Sequence, residues 1–199
     1  MKRLIFATNN LHKLEEVRAA LAGRAEVVSL AEAGLEGEIP ETADTLEGNA
    51  RQKAGWVWDK ICESETRNRE AYDGVFADDT GLEVEALGGA PGVYSARYAG
   101  EHCSFDDNID KLLVSLDGVE NRRARFRTVI CLMEDGEERL FEGAVEGRIL
   151  TERYGQGGFG YDPVFMPDRF AVSFAEMPLE VKNRISHRGR AVEKLAEAI

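Results

Sequence analysis

Two adjacent aspartates, Asp78 and Asp79, follow an apolar run in the segment VFADDTGLEV at residues 75–84. An apolar run closed by glycine is typical of a strand that delivers its last side chains to a loop. Neighbouring carboxylates repel each other, and burying them is costly unless positive charge lies close to both. Because successive side chains of a strand point to opposite faces, the two acids are expected to have different partners. The alternative is one exposed aspartate and one that caps the turn at Thr80 and Gly81.

A third acid, Glu41, extends this set. Carboxylates, together with water and phosphate oxygens, form the usual shell of Mg²⁺. A carboxylate that does not bind the metal can take a proton from an attacking water. Glu41, Asp78 and Asp79 could therefore organise Mg²⁺ and activate a water.

The segment ATNNLHKLEEV, residues 7–17, has the pattern of a strand that passes through a loop into a helix. Such a connection directs backbone N–H groups and the positive end of the helix dipole at an anion, and Lys13 adds a full charge. The segment does not match the GxxxxGK[ST] pattern, which excludes a P-loop. The alternative is an ordinary helix cap with a solvated lysine.

Two later segments could contact a nucleotide base. In GGFGYDP, residues 157–163, the glycines around Phe159 would let the backbone approach a ligand and let the ring stack on a base. The alternative is a tight turn whose aromatic residues fill the core. Lys182 and the SHR triplet at residues 186–188 supply donors that could select a base with an oxo group at its six-position. The alternative there is a surface turn between two helices.

Strand and helix patterns alternate along the chain that must position these residues. Strands are predicted at residues 2–7, 26–30, 123–133, 138–150 and 164–166, with one more around Phe76 that ends at the two aspartates. Helices are predicted at 11–21, 46–61, 107–116, after Pro178 and at 189–199. The dipeptide Asp135-Gly136 is a hairpin signal between two alternating runs. We therefore predict one α/β domain over residues 1–199 with a mixed sheet. The charged stretch at residues 63–73 is expected to be an exposed loop or a fraying helix end without a catalytic role.

The composition excludes several classes of protein. A net charge of −12 argues against binding to a nucleic-acid polymer or an anionic membrane, although a local basic cluster can still hold a small anion. The three cysteines are far apart and form no CxxC pair, which argues against disulfides and structural zinc. The apolar run at residues 4–7 is too short for a signal peptide or a membrane span. We expect a reducing, cytoplasmic setting.

Five segments in series resemble the inosine triphosphate pyrophosphatase family. They are ATNNLHKLEEV, PETADTLEGNARQKA, FADDTGLEVEALGGAPGVYSARYAG, GGFGYDPVF and AEMPLEVKNRISHRGRA, and they run from near residue 5 to residue 191. The resemblance implies an elongated, two-lobed α/β fold around a long mixed sheet, with the active site in a central cleft, and a homodimer. It also implies a Mg²⁺-dependent enzyme that converts ITP, dITP and XTP to the nucleoside monophosphate and pyrophosphate, which removes non-standard purines from the nucleotide pool.

The family's functional residues carry over to matching positions. By resemblance, Glu41 and Asp79 would organise Mg²⁺ with Asp78 beside them, and Asp79 would also be the catalytic proton acceptor for water that attacks the α–β phosphoanhydride. The residues implied to bind substrate are Thr8, Asn9, Asn10, Lys13, Lys53, Thr80, Arg97, Phe159, Gly160, Tyr161, Asp162, Lys182, His187 and Arg188. The first four of these and Lys53 would hold the triphosphate, and Phe159 would stack on the base.

One departure from the family concerns the second segment. Many relatives carry two glutamates before its asparagine, whereas this chain has Glu47-Gly48-Asn49 and lacks the second carboxylate.

Three other activities remain open from sequence alone: a pyrophosphatase for pyrimidine nucleotides with the same cleft, a non-catalytic nucleotide sensor, and a phosphatase that releases single phosphates.

Overall fold

The structure is a computed structural model that describes residues 1–63 and 71–199. Residues 64–70, the middle of the charged stretch predicted to be an exposed loop, lie outside the described residues. The strands are β1 (Lys2–Phe6), β2 (Ala25–Val28), β3 (Gly74–Val84), β4 (Pro91–Gly92), β5 (Arg123–Glu134), β6 (Glu137–Ile149) and β7 (Phe165–Pro167). The helices are α1 (Leu11–Ala20), α2 (Leu46–Glu63), α3 (Phe105–Ser115), α4 (Leu179–Ile185) and α5 (His187–Ala198).

The seven strands form one mixed sheet in the order β2-β1-β3-β5-β6-β7, with β4 paired to β3. Strand β1 lies parallel to both neighbours, so that Leu4 is opposite Val27 of β2 and Gly74 of β3. Strands β4 and β7 pair in the antiparallel sense with β3 and β6. At the predicted hairpin, Asp135 and Gly136 have φ of 51° and 81°, the left-handed conformations that a two-residue turn requires. The predicted α/β class with a mixed sheet is confirmed.

The chain divides into two compact units, each with its own hydrophobic core. The first unit comprises Met1–Asp79, Thr128–Gly143 and Arg188–Ile199, and the second comprises Thr80–Arg127 and Ala144–His187. In the first core, Phe6 of β1 stacks on Phe76 of β3 with ring centroids 4.6 Å apart. In the second, an aromatic group packs with aliphatic residues of α3 and β6; its members are Phe126, Phe165 and Phe174.

Strand β3 differs from the prediction in one respect that bears on chemistry. It does not end at the aspartates but continues through Gly81 to Val84. A Cβ atom at Gly81 would lie 2.7 Å from the carbonyl oxygen of Gly92, whose strand pairs with β3 at Leu82. The glycine therefore marks a close approach of two backbones and not the end of a strand. As a result, both aspartates lie within the sheet.

No helix within residues 1–63 and 71–199 is long and apolar enough to cross a membrane.

Candidate active site

Asp78 lies in the first unit with an ion pair at each carboxylate oxygen. Its Oδ1 accepts a hydrogen bond from Lys13 Nζ at 2.9 Å, and its Oδ2 accepts one from Arg188 Nε at 3.0 Å. Only 1% of the residue is exposed. Burial by itself would raise the pKa of Asp78, but the charges of Lys13 and Arg188 outweigh it and hold this pKa well below its usual range. Asp78 is therefore ionised at neutral pH.

Asp79, the next residue of β3, has different partners, as the alternation of a strand predicts. Its Oδ1 accepts from Lys53 Nζ at 3.0 Å and its Oδ2 from Asn49 Nδ2 at 3.1 Å. The same Lys53 ammonium donates to Glu41 Oε1 at 2.5 Å, so two carboxylates share one cation. Burial raises the pKa of Asp79 above its ordinary value, although the charges of Lys53 and Lys13 oppose this shift. A general base benefits from a pKa raised towards the working pH.

Helix α2 positions the two partners of Asp79. Asn49 and Lys53 are four residues apart, which places both on one face of the helix, and each is at most 4% exposed. The helix begins after Thr45, whose Oγ1 accepts from the Gly48 N–H at 3.0 Å. Asn49 Oδ1 also accepts from the N–H of Ala43 at 2.9 Å, which holds the preceding segment against the helix.

Gly48, where many relatives of the resembled family carry a glutamate, lies in a tight environment. A Cβ atom there would be 2.6 Å from Ala43 Cβ and 2.9 Å from Thr45 Oγ1. Any side chain at this position would therefore require the helix cap to shift.

Helix α1 begins at Leu11, and Asn10 acts as its N-cap. Asn10 Oδ1 accepts from the N–H groups of His12 and Lys13 at 3.0 and 3.2 Å, while Thr8 Oγ1 accepts from the Asn10 N–H at 3.1 Å. Two N–H groups predicted to face a phosphate are thus bonded within the loop. The positive charge that this terminus offers an anion comes chiefly from Lys13, whose pKa is lowered by burial against the raising influence of Asp78.

The second unit brings together three residues predicted to contact the base. Lys182 Nζ lies 2.6 Å from Asp162 Oδ2, which also accepts from the Phe159 N–H at 2.9 Å. The same ammonium lies 5.1 Å from the centre of the Phe159 ring, a cation–π distance. The loop fits closely around Asp162, since a Cβ atom at Gly158 would lie 2.0 Å from Asp162 Oδ2. Gly160, with φ of +60°, completes this turn.

Two further predicted residues lie in the core of the second unit. Tyr161 is 5% exposed, and its hydroxyl donates to the Ser95 carbonyl at 2.7 Å. Burial raises the pKa of this phenol. The buried His187 ring stacks on Phe126 with centroids 4.5 Å apart and planes inclined by 16°.

The remaining predicted substrate residues are less enclosed. Asn9 donates to the Gly37 carbonyl at 3.5 Å, the partly buried Thr80 follows Asp79 in β3, and the Arg97 guanidinium lies 5.2 Å from the Tyr94 ring centre. Their contacts with substrate stay predictions.

Sequence reasoning missed two residues of the first unit. Asn49 could have been found from its four-residue spacing to Lys53 on a helix. Glu16, buried on α1, accepts from Arg188 Nη1 at 2.6 Å; its three-residue spacing from Lys13 places both on one side of the helix. Arg188, predicted to read the substrate, lies 3% exposed between Glu16 and Asp78.

Of the three acids predicted to organise Mg²⁺, Glu41 and Asp79 fit that role better than Asp78. Residues 1–63 and 71–199 contain no group of three His, Cys, Asp or Glu side chains placed to hold a metal ion. Mg²⁺ commonly uses only one or two carboxylates and takes its other ligands from water and substrate phosphates. Glu41 and Asp79 fit this role because their oxygens converge on one point, the Lys53 ammonium. Asp78 fits it less well, since both its oxygens are in ion pairs.

Known proteins match this chain over nearly its whole length. The Ham1 family model matches residues 4–198. A dITP/XTP pyrophosphatase of Porphyromonas gingivalis is 54% identical over 198 residues, which cover 99% of this chain and 97% of the relative. Among solved structures, the Staphylococcus aureus Ham1 protein has a TM-score of 0.81 at 37% identity, covering 99% of this chain and 97% of its own. A HAM1 protein from Coxiella burnetii has a TM-score of 0.82 at 34% identity, covering 100% and 98%. The resemblance found in the sequence is confirmed, and the chain belongs to the Ham1 family.

Proposed function

We propose that this protein hydrolyses dITP, XTP and ITP to the nucleoside monophosphate and pyrophosphate, and so removes non-standard purines from the nucleotide pool. The P. gingivalis relative, which matches nearly the whole chain, is a dITP/XTP pyrophosphatase. The structural observation that carries the proposal is the buried pair of acids on β3, one held ionised by Lys13 and Arg188 and the other sharing Lys53 with Glu41.

Asp79 accepts the proton in the proposed reaction. A water oxygen forms a bond to a phosphorus of the α–β bridge, the bond from that phosphorus to the bridging oxygen breaks, and the nucleoside monophosphate separates from pyrophosphate. The proton of the water passes to Asp79, whose pKa burial raises. Asn49 and Lys53 fix one oxygen each, so the carboxylate is held in one orientation before substrate arrives. No covalent intermediate with the protein is required.

Positive charge stabilises the triphosphate and the leaving pyrophosphate. Lys13 and Lys53 supply this charge from the protein. Asp79 and Glu41 hold the pKa of Lys53 above its ordinary value although burial acts to lower it, so this lysine stays protonated at neutral pH. Mg²⁺ held by Glu41 and Asp79 would neutralise phosphate charge and lower the pKa of the attacking water.

Phe159 and Lys182 recognise the base in this proposal, as the family resemblance implies. The Phe159 ring offers a flat surface for stacking, and Lys182 offers N–H donors to a six-oxo group. Adenine carries an amino group at its six-position, so its N–H donors would face the N–H donors of Lys182 and neither would find an acceptor. Buried polar groups left unpaired in this way discriminate strongly between ligands.

A homodimer in the cytoplasm belongs to the same proposal and follows from the family resemblance. Light scattering of the purified protein should give twice the chain mass, and a monomer would refute this part alone.

The experiment for the proposed function is a nucleotide panel with the purified protein. We expect monophosphate and pyrophosphate from dITP, ITP and XTP in the presence of Mg²⁺, with far slower turnover of GTP, ATP and dTTP. Turnover that persists after removal of Mg²⁺ with EDTA would contradict the metal requirement. Preference for dTTP would indicate a pyrimidine enzyme, and binding without product would indicate a sensor.

A further inference from the structure

Glu16 is a buried acid on α1 to which the proposed reaction gives no role. It is 5% exposed, whereas its neighbour Glu15 is exposed. Moving a carboxylate out of water costs free energy that a positive partner must offset. That partner is Arg188, at 2.6 Å from Glu16 Oε2.

Arg188 connects Glu16 to the catalytic strand. Its Nη1 holds Glu16, its Nε holds Asp78 Oδ2 at 3.0 Å, and the other oxygen of Asp78 accepts from Lys13 at 2.9 Å. The four side chains alternate in sign, and their formal charges sum to zero. Both ends of the series, Glu16 and Lys13, belong to α1, so the network starts and finishes on one helix.

The network opens to solvent at only one of its members. The side chains of Glu16, Arg188 and Asp78 are 6%, 4% and 1% exposed, and that of Lys13 is 16% exposed. A ligand that meets this network does so at the Lys13 ammonium. The three buried members influence such a ligand through the position and charge of Lys13.

Loss of the Glu16 charge would change how Arg188 holds Asp78. A guanidinium can bind one carboxylate through two parallel hydrogen bonds. Without its bond to Glu16, Arg188 could take both oxygens of Asp78 and compete with Lys13 for Oδ1. Lys13 would then lose the contact that fixes its ammonium.

We propose that Glu16 is a positioning residue for phosphate binding. Its ion pair with Arg188 keeps Arg188 from bonding to Asp78 Oδ1. That oxygen stays bonded to Lys13, which fixes the Lys13 ammonium that binds the triphosphate. The proposal deepens the proposed function and rests on it, because it takes Lys13 as a phosphate ligand.

The test compares Glu16→Gln with Glu15→Gln, the same chemical change at the adjacent, exposed position. In dITP hydrolysis by the full chain, we expect Glu16→Gln to raise KM by about tenfold, which lies within the usual range of coupling between residues of one ion-pair network, with a smaller change in kcat. Glu15→Gln should leave both within about twofold of wild type, as expected for a surface substitution. A wild-type KM for Glu16→Gln would overturn the proposal.

Testing Glu16→Gln also in a Lys13→Met variant separates a positioning role of Glu16 from a general loss of structure. If Glu16 acts through Lys13, adding Glu16→Gln to Lys13→Met should change KM by less than about twofold, because coupled residues are not additive. An equal tenfold effect in both backgrounds would show that Glu16 is merely structural. Should Glu16→Gln fail to fold, Glu16→Asp replaces it: it keeps the charge but shortens the reach, and its KM should rise only where Lys13 is present.

Calorimetric binding of inorganic triphosphate distinguishes failure of this proposal from failure of the proposed function. A wild-type protein that releases no pyrophosphate would refute the proposed function. Binding would then still decide the role of Glu16, since Glu16→Gln should weaken the Kd for triphosphate in the wild-type background and leave it unchanged beside Lys13→Met.

Discussion

At the scale of single residues, the account depends on the different environments of two neighbouring acids. Asp78 is fixed as an anion by two cations, while burial shifts Asp79 towards accepting a proton. The difference follows from the alternation of a strand, which turns one side chain to α1 and α5 and the other to α2. The two carboxylates are chemically alike, but their different environments give them different roles.

The role of Asp79 predicts the effect of Asp79→Asn. Removing a general base costs about 10²- to 10⁴-fold in rate, and the amide keeps the size of the side chain. We expect kcat for dITP to fall within that range while the circular dichroism spectrum stays that of wild type. Asp59→Asn, at an exposed position of α2, is the matched control and should keep full activity. A folded, fully active Asp79→Asn would remove Asp79 from the mechanism.

The role of Asp78 predicts a pH-dependent loss of stability in Asp78→Asn. Breaking a buried ion pair by neutralising one partner costs about 3–5 kcal/mol. Since the folded-state pKa of Asp78 is depressed, its contribution to the free energy of unfolding is complete above the unfolded value of 3.8 and is lost as pH falls towards the folded pKa. Urea unfolding should show the largest difference between wild type and variant near neutral pH and a shrinking one below pH 3.8. A difference that stays constant with pH would refute this assignment.

At the scale of elements, α2 shows how a local constraint can reverse an intrinsic preference. Replacing glycine by alanine inside a helix normally stabilises it by about 1 kcal/mol. At Gly48 the added Cβ would collide with Ala43 and with the capping hydroxyl of Thr45, whereas at Gly55 it would meet nothing within 4 Å.

Replacing each of these two glycines of α2 by alanine should therefore change the free energy of unfolding in opposite directions. Gly48→Ala should lower the free energy of unfolding by about 1–3 kcal/mol, the usual cost of overpacking. Gly55→Ala should raise it by up to about 1 kcal/mol. Chemical denaturation measures the free energy of unfolding of the two variants. A Gly48→Ala variant more stable than wild type would contradict the prediction, because it would show that the segment before α2 moves aside without loss of stability.

The elements also show which features of the site are visible in sequence. The Asn10 cap and the Asp135-Gly136 turn depend on neighbours within a few residues, so local patterns predict them. The opposite partners of Asp78 and Asp79 follow from strand alternation. The bonds from Arg188 to Asp78 and Glu16 span 110 and 172 positions of the sequence, and no local pattern encodes them. The same holds for Gly81, whose meaning depends on the approach of β4.

At the scale of the whole molecule, charge governs which partners are accessible. The net charge of −12 repels polyanions, while Lys13 and Lys53 place two positive charges beside the acids of the first unit. Charges farther away than about 10 Å are largely screened at moderate salt. A small triphosphate is therefore compatible with a strongly acidic protein.

This balance predicts no affinity for nucleic-acid polymers. Fluorescence anisotropy with labelled duplex DNA and single-stranded RNA should show no binding at micromolar protein in physiological salt. Binding that weakens steeply with salt would reveal a basic surface extensive enough to release counterions, and would contradict the prediction.

Product identity tests the central claim most directly. Purified protein, dITP and Mg²⁺ are followed by ³¹P NMR, with Asp79→Asn as the control for contaminating activity. We expect equal amounts of dIMP and pyrophosphate from the first time point, no orthophosphate, and a reaction slower by at least about a hundredfold in Asp79→Asn. Release of orthophosphate with dIDP would place the attack at the terminal phosphorus and contradict the account.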